Sequence, residues 1–499
     1  MSKQDFFNIN LIQLGAGLIV ILALILSNQK EGFSSDSQIA SVGAMPKNNI
    51  PANSGLPLFL NLYPKFGPDF RLFDMIQKLK LNNSSPIWNG VYKKGSNSRN
   101  LFESKKLCPI IIVPGLGASP LFARWNKSSS GTVQTIDQTG NFQQPDAWSC
   151  KQVQDSWVQI WPPDADGLAS YCWADNTRVI ATDGKIVNSS GVNTATEEFG
   201  SVEFANDDYM STLIDAFEAV GYQQGNNLFA ACYDFRKIGD PVEIDAWCLS
   251  LTKLIEQNCS MQENPAIIIG HDLGAVVANY FLVNAMQEWK DRFIDKFISV
   301  SGTFGGCPKA LRAVLSGVST PGNAGNFNAA VKTSSGLSLM LPNPMIYGDT
   351  TIIQFNQLSY SSREIPKLIE TVSTDAAKIL KISENVRDIS MKAPGVEVHI
   401  LAGSDLDTES SYKYNLALVN EPEKNAPFYQ LELPFNQKFN YPDYFTGDGT
   451  MPKFALEYPI WWSKFQQQPV YFQFFTGVEH TKILSSLESV QYIMDACDV

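Results

Sequence analysis

The chain has 499 residues, 44% of them hydrophobic and 11% aromatic, and a formal net charge of −12. That is apolar material for a large core, and the acidic balance, with no run of Lys or Arg, excludes nucleic acid and an anionic membrane surface as electrostatic partners. An uncharged or lipid-like substrate fits such a surface better.

The chain opens on INLIQLGAGLIVILALIL (Ile9 to Leu26), 18 residues without a charge, which as a helix would reach about 27 Å, just short of typical bilayer thickness. Residues 1–27 therefore read as a secretory signal peptide or as a signal anchor that tethers the chain once to a membrane. Either places the remainder in the secretory route, as a lumenal or extracellular domain or a secreted protein, the lysosome included. Eight cysteines permit disulfides there. Asn-x-Ser sequons at Asn82, Asn83, Asn126, Asn188 and Asn258 mark it as a candidate glycoprotein, each a weak match alone. Residues 28–55, rich in Ser, Asn, Gln and Gly, read as a flexible linker. Residues 56–107 form an accessory segment with some helical spacing and no recognisable chemistry.

From residue 108 the pattern changes. CPIIIVPGLGASPL (Cys108 to Leu121) is a short β-branched run ending in a Gly-rich turn, as expected of a buried parallel strand. Similar runs recur at 228–235, 266–270, 296–302, 396–403 and 470–477, with helical patterns at 207–222 and 243–257 between the earlier ones. Such alternation predicts a mainly parallel sheet covered by helices on both faces, one α/β domain over 108–499. A Gly-, Ser- and Asn-rich stretch from Ser316 to Asn343 interrupts it, so a cap insertion is expected at about 308–395.

One corner carries the chemistry. PAIIIGHDLGAVVANYFL (Pro265 to Leu282) is an apolar strand, a Gly-x-x-x-Gly corner and a helix, the way an α/β-hydrolase presents its nucleophile, but the corner residue is Asp272 instead of serine. Of three histidines, at 271, 399 and 480, His271 is inside the corner and His399 lies in a strand pattern that suits a packed or surface role. His480, on a loop just past an apolar strand, is the candidate base. Asp448, in the Gly-flanked turn of YFTGDGTMP, is the candidate acid, although alone it reads as an ordinary Asp-Gly turn. The order Asp272, Asp448, His480 is the nucleophile–acid–histidine order of the α/β-hydrolase fold. Asp448 would hold His480 in one tautomer. The N–H groups of Leu116, after the first core strand, and Leu273, after the corner, are the expected oxyanion-hole donors. Nothing in the chain calls for a cofactor or a metal ion.

The motifs PIIIVPGLGAS, CWADNTRVI, YDFR, ISVSGTFGG, GVEVHILAG, GDGTMP and VEHTKIL follow the order seen in the lecithin:cholesterol acyltransferase and lysosomal phospholipase A2 family, which the chain resembles over roughly Cys108 to Val499. The resemblance implies an interfacial lipid enzyme that passes a phospholipid acyl chain through an active serine to a sterol, another lipid alcohol or water. It also implies a lid loop at 150–172 closed by a Cys150–Cys172 disulfide. Trp157 and Trp161 on that loop would cover an acyl chain or else serve as core aromatics. Cys307 and Cys232 read as packed thiols.

Asp272 departs from the family pattern. Acyl transfer needs a nucleophile whose acyl product is a relatively stable ester, and a carboxylate attacking an ester gives a mixed anhydride that returns to reactants. Three readings stay open: a lipid acyltransferase or phospholipase with impaired activity, a non-catalytic lipid- or partner-binding protein, and a hydrolase using Asp272 as nucleophile. The last resembles epoxide hydrolases and haloalkane dehalogenases, which usually have Trp after the nucleophile where this chain has Leu273.

Overall fold

The computed structural model describes residues 107–127, 135–136, 142–143, 148–163, 171–202, 209–316, 330–355, 358–414 and 443–499. The apolar leader, the linker, residues 56–106 with Asn82 and Asn83, the 164–170 part of the expected lid and the 317–329 part of the expected cap lie outside the described residues. Among the described residues no helix is long and apolar enough to cross a membrane.

The centre is a six-stranded sheet of β1 (Ile110–Val113), β2 (Leu228–Ala230), β3 (Ala266–His271), β4 (Ile294–Val300), β5 (Glu397–Ser404) and β6 (Val470–Thr476), in the order β6-β5-β4-β3-β1-β2. Every pairing in it is parallel. Successive side chains on a strand point to opposite faces, so a run such as IIIV is stable only if both faces are dry. Ile111, Val113 and Ile268 join one apolar layer, and Ile110, Ile112, Ile267 and Ile269 join the other. Helices Pro241–Gln262, Leu273–Asn284 and Thr374–Ser390 contribute to the first layer, Ser211–Ala219 and Leu487–Ala496 to the second. The chain has the α/β-hydrolase fold.

Strands outside this sheet carry the insertions. Leu121–Asn126, Val153–Trp161 and Val192–Thr196 form a three-stranded antiparallel sheet. The segment expected to be a lid loop is therefore a strand over Val153–Trp161, because those residues find a hydrogen-bonding edge on Leu121–Asn126. Cys150 and Cys172 are bonded to each other at its ends.

Two of the quoted motifs tie these pieces to the core. In CWADNTRVI, Trp173 Nε1 donates to Ile160 O at 2.8 Å and Asn176 Nδ2 to Ser149 O at 2.8 Å, anchoring both ends of the 150–172 segment. In YDFR the buried Arg236 guanidinium reaches Asp234, Thr177 O, Asn188 Oδ1 and Thr194 Oγ1. Burial pushes the Asp234 carboxyl up, but the charge and hydrogen bonds of Arg236 outweigh it and hold Asp234 below the usual carboxylate range. Asn188 is thus engaged through its side chain, and Asn258, buried in Pro241–Gln262, donates to Leu254 O at 2.8 Å. A glycan has no access to Asn258 in this fold.

The YFTGDGTMP turn follows a strand that lies outside the central sheet. Asp443–Gly447 pairs antiparallel with Leu406–Tyr414, in a second sheet with Thr351–Phe355 and Leu358–Ser361. Asp448 thus reaches the site from an excursion between β5 and β6.

Candidate active site

Asp272 sits at the corner between β3 and helix Leu273–Asn284 with φ 55° and ψ −124°. A non-glycine residue held there costs on the order of 1–3 kcal/mol, and the flanking glycines explain why the corner is this tight. A Cβ on Gly270 would lie 2.7 Å from Ala275 Cα, and one on Gly274 would overlap the carbonyl oxygens of Val113 and Pro114. The helix can start against the end of β1 only without those side chains. The strained corner projects the Asp272 side chain toward the loops at the C-terminal ends of β1 and β6.

Three carboxylate and imidazole groups meet there. His480 Nδ1 lies 2.6 Å from Asp448 Oδ2, and His480 Nε2 lies 3.1 Å from Asp272 Oδ1. All three residues are buried. The acid is held by its own turn: Asp448 Oδ1 accepts from Thr450 N at 3.0 Å and Met451 N at 2.7 Å, while its carbonyl accepts from His480 N at 2.9 Å. The buried Lys309 ammonium donates to Gly449 O at 2.5 Å, one residue further on.

The other oxygen of Asp272 is also engaged. Asp272 Oδ2 accepts the Leu116 N–H at 2.8 Å. The Leu273 N–H acts on the same carboxylate in the direction that favours its charged form. Both N–H groups expected to stabilise an oxyanion thus face a permanent anion. Trp161 closes the turn from outside: its Nε1 donates to Gly117 O at 2.7 Å and its ring lies 5.1 Å from that of Phe235. Trp161 is 1% exposed, whereas Trp157, four residues earlier, is 45% exposed with the Arg124 guanidinium 4.8 Å from its ring. The two tryptophans therefore have different surroundings, one packed and one facing solvent.

The charges follow from this packing. Burial works against a charged imidazole, but the Asp448 carboxylate, the hydrogen bonds to Asp272 and Asp448 and the charge of Asp272 override it and push His480 up to about 10. Burial likewise raises the Asp272 carboxyl, yet the hydrogen bond and charge of His480 bring it below its ordinary value. At neutral pH Asp272 is therefore a carboxylate and His480 an imidazolium. An imidazolium has no lone pair with which to take a proton, so His480 in this state is no general base.

The family model for lecithin:cholesterol acyltransferase matches residues 157–388. The phosphatidylcholine-sterol acyltransferase of Mus musculus is 27% identical over 410 residues, covering 77% of this chain and 84% of that protein. That of Homo sapiens is 26% identical over 421 residues, with 77% and 83% covered. The lysosomal phospholipase A and acyltransferase of Bos taurus is 24% identical over 408 residues, with 77% and 90% covered. Over that span the chain is similar to the lecithin:cholesterol acyltransferase family.

The remaining candidates take structural places. His399 is buried, with Glu397 Oε1 3.0 Å from Nε2 and the Tyr492 hydroxyl 3.1 Å from Nδ1. Cys232 and Cys307 are buried thiols, each pushed up to about 12, mainly by burial. Sequence reasoning missed Tyr209, Lys309 and the part played by His271. His271 carried a signal, since it adjoins the corner, but Tyr209 and Lys309 lie in ordinary helical or turn patterns that single out no side chain.

Proposed function

We propose that this protein is a lipid enzyme of the phospholipase A and O-acyltransferase type, built to hold a glycerophospholipid acyl ester, whose ester chemistry Asp272 suppresses. One observation carries the reading: the Asp272 carboxylate occupies the Leu116 N–H and the His480 imidazolium at the same time. In acyl transfer by a hydroxyl nucleophile, the imidazole takes the hydroxyl proton, the oxygen attacks the carbonyl carbon, and the N–H pair receives the oxyanion. Here the base is already protonated, the donors are already occupied, and the attacking group would form a mixed anhydride. Each departure acts against ester turnover. The names of the relatives support phospholipid and sterol, or another lipid alcohol, as the substrate class. The Cys150–Cys172 bond supports an oxidising, lumenal or extracellular setting.

The test is Asp272→Ser assayed on dispersed phosphatidylcholine with and without a sterol acceptor. Serine removes the charge, frees both N–H donors and leaves His480 with Asp448 alone. Native protein is expected near background and the serine variant well above it, with the gain abolished by His480→Ala. Native turnover that Asp272→Ala leaves unchanged would overturn the assignment of residue 272. A serine variant that binds lipid but stays at background would favour the non-catalytic reading. The carboxylate-nucleophile reading is addressed in labelled water with an epoxide: attack through Asp272 puts label into that side chain over repeated turnovers. It needs a neutral His480 to activate water, which the resting site does not offer.

A further inference from the structure

His271 precedes Asp272 in the chain, and its ring lies beside that of His480, with centroids 5.2 Å apart, without hydrogen-bonding to either carboxylate of the triad. It is buried, and each of its nitrogens has one partner. Nε2 lies 3.1 Å from the main-chain oxygen of His480, and Nδ1 lies 2.5 Å from the Tyr209 hydroxyl. That hydroxyl in turn accepts the Gly115 N–H at 3.1 Å. A carbonyl oxygen only accepts, so Nε2 carries the proton, and in the neutral ring Nδ1 accepts from Tyr209. The direction of every hydrogen bond is fixed: Gly115 N–H to Tyr209 Oη, Tyr209 O–H to His271 Nδ1, His271 Nε2–H to His480 O.

The groups remain in those protonation states across the working range. Burial, then the charge on His480, pushes His271 down to about 4, so it is neutral while its neighbour is charged. Burial and the nearby Asp272 charge raise the Tyr209 phenol well above its ordinary value, so it remains a donor. The Tyr209 hydroxyl sits this close to the turn only because residue 115 is glycine, since a Cβ there would come within 2.9 Å of its oxygen.

We infer that His271 and Tyr209 are positioning residues that tie the main chain of His480 to the oxyanion turn at Gly115 and Leu116, setting base and oxyanion donors at a fixed separation. Three segments that are far apart in sequence converge at the site, and Asp448 secures only one of them. The Asp448–His480 contact orients the imidazole, whereas the Tyr209–His271 contacts locate the loop that carries it. Gly115 precedes the donor Leu116, so any slack at Tyr209 reaches the donor directly. The geometric inference is independent of Asp272 chemistry; only its kinetic arm rests on the proposed acyl transfer.

The full chain, labelled with ¹⁵N-histidine, gives three imidazole signal sets to assign by single substitution. Native protein is expected to show His271 as one neutral tautomer with the proton on Nε2 from pH 5 to 9. Tyr209→Phe should move the His271 Nδ1 resonance toward that of a lone pair without a donor and admit the second tautomer. A role in packing alone would leave the tautomer untouched. In the Asp272→Ser background, Tyr209→Phe is expected to lower kcat by roughly 10- to 100-fold, the scale of a small misplacement, with KM little changed. His271→Gln, whose side-chain N–H can still reach His480 O, should recover part of what His271→Ala loses. A His271 that titrates near the ordinary histidine value, or a Tyr209→Phe spectrum identical to native, would overturn the inference. An inactive serine variant with the expected native spectrum would instead count against the proposed function alone.

Discussion

Asp272→Asn removes one carboxylate from His480 while keeping size and shape nearly constant. In the native site His480 stands at about 10 against an ordinary 6.5, with the Asp448 charge and the hydrogen bond to Asp272 as the main upward causes acting against burial. An opposite charge within hydrogen-bonding distance is worth about 1–3 pH units, so the Asn variant should titrate at about 7–9. That is a differential of roughly 1–4 kcal/mol between the two protonation states. The stability consequence has a definite sign. Because the folded value lies above the unfolded one, the His480 contribution is complete below about 6.5, declines above that and is gone by about 10. The difference in unfolding free energy between native and Asn protein should therefore be constant up to the variant's own His480 midpoint and then fall until about pH 10. Asp272 acts in the opposite direction: its lowered carboxyl contributes above 3.8 and loses that contribution as pH falls through the folded value. Imidazole ¹⁵N titration of His480, with urea unfolding at several pH values, measures both. A native His480 titrating at or below 6.5, or an Asn variant that titrates where native does, would refute the ion-triad argument.

Other outcomes follow from the same geometry. Reducing the Cys150–Cys172 bond, which spans a sequence separation of 22, should cost on the order of 3 kcal/mol and lower Tm by several degrees; non-reducing peptide maps with either thiol free would contradict it. Gly274→Ala should fail to give soluble folded protein, because its Cβ would overlap the end of β1, whereas Gly225→Ala, with φ 73° and open space around it, should cost only about 1–2 kcal/mol. Lys309→Met in the Asp272→Ser background should lower kcat by loosening the turn that holds Asp448, with the circular dichroism spectrum unchanged; an unaltered rate would show that the turn holds itself.

The sequence by itself determined the strands of the central sheet, because a run buried on both faces has almost no polar positions and ends in turn residues. It determined the corner too, since two glycines at that spacing permit a helix to start against a neighbouring strand. The chemical consequence of aspartate at 272 was readable because a carboxylate differs from a hydroxyl in charge and in the stability of its acyl product, wherever it sits. What the sequence left open depended on partners distant in the chain. Val153–Trp161 is a strand because an edge at Leu121–Asn126 accepts it, a choice made by hydrogen bonding between segments rather than by local pattern. Trp157 and Trp161 have the same chemistry and unlike fates because only one meets Gly117 and Phe235. Tertiary structure also decided where the charge of Asp272 goes. One oxygen meets Leu116, 156 residues earlier, and the other meets His480, 208 residues later, and with both contacts buried, each group holds the others in the charged state. Tyr209 carried no sequence signal for the same reason: its importance lies in the one backbone N–H and the one imidazole that folding brings to its hydroxyl.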